Sequence, residues 1–136
     1  MLRRIHLAVG ILAVVVFLLT GQVMRFHHPS MEQLPAEVRM MYVSRHIYLL
    51  GTALVNVVLG LYLHLQATSW RRLLQEVGSL LILLSPLLLT LAFFSEPALG
   101  LLGRSWRGYY GMLALFVGAM AHLVASAGAP RIDTPT

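Results

Sequence analysis

Four long apolar stretches set the hydrophobic pattern of the chain, and none of them contains Asp, Glu, Lys or Arg. They cover residues 5–24, 47–65, 77–94 and 109–127. A helix of about 20 apolar residues crosses a hydrocarbon core about 30 Å thick. Each stretch therefore predicts one transmembrane helix.

Small and polar residues recur at alternating spacings of three and four along three of the stretches, as expected for the packed seam of a helix in lipid. These seam residues are His6, Gly10, Ala13, Phe17, Thr20 and Met24; His46, Leu49, Ala53, Asn56, Gly60 and Leu63; and Gly108, Gly111, Leu115, Gly118, His122 and Ala125. The third stretch is less regular, and its expected inner face is Gln75, Ser79, Ile82 and Pro86. The pattern predicts an all-α fold, an integral membrane antiparallel four-helix bundle with leucine and valine facing the lipid.

The segments between the stretches are 22, 11 and 14 residues long, too short for a soluble domain. We therefore expect a single transmembrane domain over residues 1–136. In the first segment, Ser30 and Gln33 have the spacing of a capping box, and Pro35 suits the first turn of a helix. The second helix is thus predicted to begin well before its apolar stretch.

Two features bear on whether the third stretch forms one continuous helix and whether the first is retained in the mature protein. Pro86 lies inside the third stretch, and proline is tolerated in a spanning helix where neighbours satisfy the freed carbonyl. We predict one kinked helix rather than two half-helices. The first stretch follows Arg3 and Arg4, but it is too long for a signal peptide and lacks a small-residue cleavage site, so we expect it to be retained.

The composition changes the picture in three ways. Hydrophobic residues make up 58% of the chain and charged residues only 11%, whereas a soluble domain carries about a quarter charged residues. The absence of cysteine excludes a disulfide framework, a thiolate metal site and a cysteine nucleophile. The net charge of +5 comes from ten arginines against five acidic residues, and all ten arginines lie outside the apolar stretches, a distribution that indicates membrane topology rather than nucleic-acid binding.

The arginines give a weak signal of orientation. Five lie on the side of the termini and five on the other side: Arg3, Arg4, Arg71, Arg72 and Arg131 against Arg25, Arg39, Arg45, Arg104 and Arg107. The two adjacent pairs on the first side favour cytoplasmic termini in a bacterial-type inner membrane. The equal count keeps open a dual-topology homodimer that transports a small solute.

Three histidines are the first candidates for chemistry. The alternation of helix direction places His6, His64 and His122 on the same side of the membrane, each near a span edge. Two imidazoles from facing helices can hold a b-type haem, with the glycines at 108, 111 and 118 leaving room for it, and three can bind zinc or copper. Alternatively, the histidines make ordinary interhelical hydrogen bonds or reach the headgroups.

A second group of candidates lies on the opposite side. Thioether and imidazole groups suit Cu(I), and both types occur here in Met24, His27, His28, Met31 and His46. The alternative is that the methionines fill space and the loop histidines are solvated.

Two further polar residues lie in or near the second stretch. Arg45 is positioned to hold a lipid phosphate or to anchor the helix at the interface. Asn56 is expected to hydrogen-bond a neighbouring helix, with Ser85 or Thr90 as its partner. Glu76 and Glu96 are expected at span ends, so no carboxylate is placed at the bilayer centre.

The sequence contains no set of nucleophile, base and orienting group, and no phosphate-binding glycine loop. We therefore predict an accessory or interaction subunit of an inner-membrane assembly, not an enzyme, whose partners are the lipid bilayer and other membrane subunits or a second copy. The alternatives are a redox protein that binds haem b or a metal through its intramembrane histidines, and the dual-topology transporter.

Overall fold

The computed structural model describes residues 1–99 and 106–127, which are helical apart from short connections and form no strand. The four helices are α1 (Leu2–Arg25), α2 (Ala36–Tyr62), α3 (Ser69–Leu99) and α4 (Trp106–Ser126). Each is long and apolar enough to cross a membrane. The predicted multi-pass, all-helical fold is confirmed, while Arg104 and Arg131 of the orientation argument lie outside the described residues.

The helix ends differ from the apolar stretches in informative ways. α2 begins at Ala36, directly after Pro35, so the expected early start is confirmed. It ends at Tyr62, which leaves His64 outside the helix. The capping box is wrong, because the turn that follows Ser30 is a three-residue 3-10 helix and its serine side chain makes no capping hydrogen bond.

Helices that follow one another along the chain pack together, as short connections dictate. α1 packs mainly on α2, and α3 mainly on α4, while the contact between α2 and α3 joins the two pairs. α1 and α4 barely touch. The four-helix bundle is therefore open between its first and last helices.

The predicted inner faces are the buried ones. The four inner residues expected on α3 are all buried, and α1 buries four of its six seam residues, including His6 and Gly10. Leucines on the opposite face of α3, such as Leu80 and Leu87, are more than half exposed. Polar and small residues thus face the bundle interior, and aliphatic side chains face the surroundings.

Glycine allows two of these helices to approach closely. A methyl group at Gly60 would lie 2.7 Å from the main-chain nitrogen and Cα of Leu7, and one at Gly10 would lie 2.7 Å from the main-chain nitrogen of Val57. Real carbon contacts are about 3.5–4.0 Å. The contact between α1 and α2 therefore requires glycine at both positions.

Candidate functional site

Asn56 lies at the centre of the polar interior and joins three helices. It is fully buried on α2, where its Oδ1 accepts a hydrogen bond from Nδ1–H of His6 on α1 at 2.8 Å. Its Nδ2 donates to the carbonyl oxygen of Ile82 on α3 at 3.2 Å, and to that of Thr52 at 2.9 Å. The expected interhelical hydrogen bond is confirmed.

The bond to Ile82 answers a need created by proline. Pro86 has no N–H, so the carbonyl four residues earlier loses its helical partner, and that carbonyl belongs to Ile82. α3 nevertheless continues unbroken past Pro86 to Leu99. Asn56 therefore supplies the donor that proline lacks, and the prediction of one helix rather than two halves is confirmed.

The partners expected for Asn56 were wrong. The Ser85 hydroxyl donates to the carbonyl oxygen of Gly111 at 2.7 Å, which ties α3 to α4. The Thr90 hydroxyl donates within its own helix, to the carbonyl oxygen of Pro86 at 2.7 Å. The rotation of α3 turns these hydroxyls away from α2 and presents the Ile82 carbonyl in their place.

The three candidate histidines occupy three different environments. His6 is fully buried, and its Nε2 has no hydrogen-bond partner. His122 is buried between α4 and α3, where its Nε2 lies 3.1 Å from Oγ of Ser79. His64 is exposed beyond the end of α2, and its Nδ1–H donates to the carbonyl oxygen of Tyr62 at 2.8 Å.

His6 and His122 are each held by a partner on a different helix, His6 by Asn56 on α2 and His122 by Ser79 on α3. No group of three His, Asp or Glu side chains within residues 1–99 and 106–127 is placed to hold a metal ion. The three imidazoles therefore do not form the shared zinc or copper site considered above.

The glycines of α4 serve close packing rather than a cofactor pocket. A methyl group at Gly118 would lie 2.6 Å from the Gly78 carbonyl oxygen, and one at Gly111 would lie 2.8 Å from Cγ of Leu89. One at Gly108 would lie 2.8 Å from a carboxylate oxygen of Glu96. The space expected for a flat macrocycle is occupied by α3, so this arrangement gives the haem hypothesis no support.

The copper candidates are held by other contacts. Nδ1–H of His27 donates to the carbonyl oxygen of Pro29 at 2.7 Å, and Nε2 accepts from the Tyr42 hydroxyl at 3.3 Å. His46 stacks on Phe17 at 4.1 Å between ring centroids. The remaining three are partly or fully exposed: Met24, His28 and Met31.

His46 also bonds α2 to α1. The Thr20 hydroxyl donates to the Phe17 carbonyl oxygen at 2.9 Å and therefore accepts from Nδ1–H of His46, at 3.0 Å. Together with its ring stacking on Phe17, this hydrogen bond makes His46 a residue that packs helices together.

A buried ion pair is the polar feature that the sequence argument missed. Nη2 and Nε of Arg45 on α2 donate to Oε2 of Glu96 on α3, at 2.7 and 2.9 Å. Oε1 of Glu96 accepts from the main-chain N–H of Gly108 on α4 at 2.8 Å. The side chains of Arg45 and Glu96 are only 13% and 3% exposed.

This pair corrects one expectation, because Arg45 binds the carboxylate of its own chain rather than a lipid phosphate. Glu96 lies near the end of α3, as expected, and its side chain is buried there. One signal was available in the sequence. In antiparallel helices, the start of the second apolar stretch and the end of the third lie at the same membrane level, so opposite charges next to these two ends are candidates for pairing.

A cavity of about 520 Å³ opens between α2, α3 and α4. Two of the three candidate histidines, His64 and His122, line it together with the side chain of Gln75. Gln75 Nε2 donates to the carbonyl oxygen of His64 at 3.1 Å, and its Oε1 accepts from the main-chain N–H of Gln66 at 2.8 Å. This glutamine therefore holds the segment after α2 against the start of α3.

No family model, curated protein or solved structure matches this chain, so any functional argument depends on the residues described above.

Proposed function

We propose that this chain is an accessory or interaction subunit of a larger assembly in a bacterial-type inner membrane. The observation that carries the proposal is how its intramembrane polar groups are used. Asn56, His122, Ser85 and the Arg45–Glu96 pair all bond to a neighbouring helix of the same chain. These groups stabilise the fold and leave no set of side chains arranged for bond-making chemistry among the described residues.

The outer face of α1 is the surface through which we propose that the subunit docks. α1 is the least buried of the four spans and packs mainly on α2. Leu12, Leu18 and Leu19 on this face are each about three-fifths exposed. Van der Waals packing drives helix association within lipid, and a partner helix would find this face uncovered because α4 does not reach it.

A photo-crosslinking experiment tests this role. A photoreactive amino acid at Leu18 should give one defined adduct with another membrane protein in the complex isolated at native expression levels. The same probe at Leu80 of α3, which is equally exposed at 58% against 59% and does not line the cleft beside Leu12, should give lipid adducts only. Equal adducts at both positions, adducts with a second copy of the chain alone, or lipid adducts alone at Leu18 would overturn the proposal.

For orientation, we propose that both termini are cytoplasmic, on the strength of the arginine pairs near them. The chain has no cysteine, so single cysteines can be labelled without background. In intact cells, a membrane-impermeant maleimide should label Ser30→Cys between α1 and α2. It should label Thr68→Cys between α2 and α3 only after the membrane is opened. The reverse pattern would invert the orientation, and labelling of both would indicate dual topology.

A further inference from the structure

The cavity between α2, α3 and α4 has a polar end and an apolar end. His64, Gln66 and Ser126 line it at the ends of α2 and α4, near the expected membrane edge. Leu54 lines it eight residues before the end of α2, about 12 Å further into the membrane at the helical rise. The cavity therefore has the polarity gradient of an amphiphile that enters from one leaflet.

The size and opening of the cavity fit a small lipophilic molecule. Ligand cavities typically measure about 300–1,000 Å³, and this one measures about 520 Å³. α2 and α4 make little contact with each other, so no tight helix contact closes the cavity on the side where these two helices face each other. A ligand can reach it from the lipid without separating α3 from either neighbour.

The polar side chains at the cavity can donate and accept hydrogen bonds. Nδ1–H of His64 is donated to the Tyr62 carbonyl oxygen, so Nε2 of that ring is an acceptor in the neutral tautomer. On the other side of the cavity, Nε2 of His122 pairs with the Ser79 hydroxyl. When that hydroxyl donates, Nδ1 of His122 carries the proton and is a donor.

None of the described lining residues is an Arg, Lys, Asp or Glu. A phosphate headgroup would find no cation there, and burying a charge without a partner is costly. A neutral ring with carbonyl or hydroxyl oxygens meets the available donor and acceptor instead. With the ring at the polar end of the cavity, an attached apolar tail would lie along the aliphatic end, which includes Leu54, Val55 and Ile82.

We propose that this cavity binds a neutral isoprenoid quinone or quinol, with its ring between His64 and His122 and its tail toward Leu54 and Ile82. The site is independent of the docking role of α1, since it lies on other helices. It requires no redox step by the chain, because the two imidazoles act as hydrogen-bonding groups.

Photoaffinity labelling tests the proposal. The purified chain in nanodiscs of neutral phospholipid is irradiated with an azido-quinone that carries a ten-carbon tail, and labelled peptides are identified by mass spectrometry. The label should map to residues 54–66 and 119–126. Excess decylubiquinone should suppress it, and the same excess of decanol should not. Equal suppression by decanol would mean that the cavity holds any apolar chain, and would overturn the proposal.

Cavity-filling variants give the matched control. Ala119 lines the cavity, so Ala119→Leu should lower labelling about ten-fold, equivalent to about 1.4 kcal/mol of binding free energy. Ala114→Leu makes the same change on α4 in a different cleft, lined by Leu81 and Leu84, and should leave labelling unchanged. Equal loss in both variants, or loss in neither, would exclude this cavity as the site.

His64→Ala tests the ring contact without disturbing a helix, because His64 is exposed and lies beyond the end of α2. The readout is competition by decylubiquinol, which should suppress azido-quinone labelling several-fold less effectively in His64→Ala, since the quinol hydroxyl loses its acceptor. His28→Ala removes an exposed histidine outside the cavity and should have no effect. Unchanged suppression by decylubiquinol in His64→Ala would overturn the proposed position of the ring.

Discussion

Replacing Glu96 by glutamine is expected to destabilise the chain by about 3–5 kcal/mol, the usual cost of breaking a buried ion pair by removing one partner. The Arg45 guanidinium is 13% exposed and has the Glu96 carboxylate on its Nε and Nη2. Without that negative charge, its positive charge is held in a medium of low dielectric constant. The free energy of unfolding is measured by far-UV circular dichroism during denaturation in mixed micelles.

The chain provides a matched control in its other described ion pair. Arg72 and Glu76 pair at 2.9 Å one helical turn apart, but their side chains are 59% and 45% exposed. Exposed pairs of this kind contribute only about 0.3–0.5 kcal/mol, so Glu76→Gln should change stability little. A similar loss in both variants would show that the Arg45–Glu96 pair is solvated and that its role in joining α2 to α3 is wrong.

Replacing Asn56 by leucine is expected to cost about 2–6 kcal/mol, since two buried groups lose their partner at about 1–3 kcal/mol each. These groups are Nδ1–H of His6 and the Ile82 carbonyl oxygen freed by Pro86. The loss should appear as a lower denaturation midpoint in the same micelle assay. It should also raise hydrogen exchange in α3 around Ile82.

A double-mutant cycle with Pro86 separates the two losses. Pro86→Ala restores a main-chain N–H that can donate to Ile82, so Asn56→Leu should cost about 1 kcal/mol less in that background. The control is Thr90→Val, which removes a hydroxyl bonded only to the Pro86 carbonyl oxygen within α3 and should not couple to Asn56. Additive effects of Asn56→Leu and Pro86→Ala would contradict the assigned role of Asn56 at the proline.

Helices and their inner faces were predictable because lipid imposes a strict rule. Every main-chain polar group inside the membrane must be satisfied, and a helix does so within one segment. Side chains with a period of 3.6 residues then divide each helix into two faces, and polar groups such as Asn56, Ser79 and His122 face away from lipid. These two rules act locally and need no knowledge of which helices are neighbours.

Partners inside the bundle were much less predictable. Asn56 was expected to bond Ser85 or Thr90, yet it bonds His6 and the Ile82 carbonyl oxygen. A rotation of α3 by one residue, about 100°, moves a different group toward α2. The Pro86 position contained a usable signal, because the carbonyl four residues before a proline always needs a donor.

The amino-acid order alone therefore determined that this chain has four membrane-length helices and which side of each helix is buried, since both follow from hydrophobicity and helical periodicity. The tertiary structure decided that Arg45 pairs with Glu96, that the α4 glycines lie against α3, and that His64 and His122 line one cavity while His6 does not. These outcomes depend on helix rotation, on which helices are neighbours, and on α2 ending at Tyr62. Helix rotation, the choice of neighbouring helices and the end point of α2 are set by packing between segments that are far apart in the sequence, so no local sequence pattern predicts them.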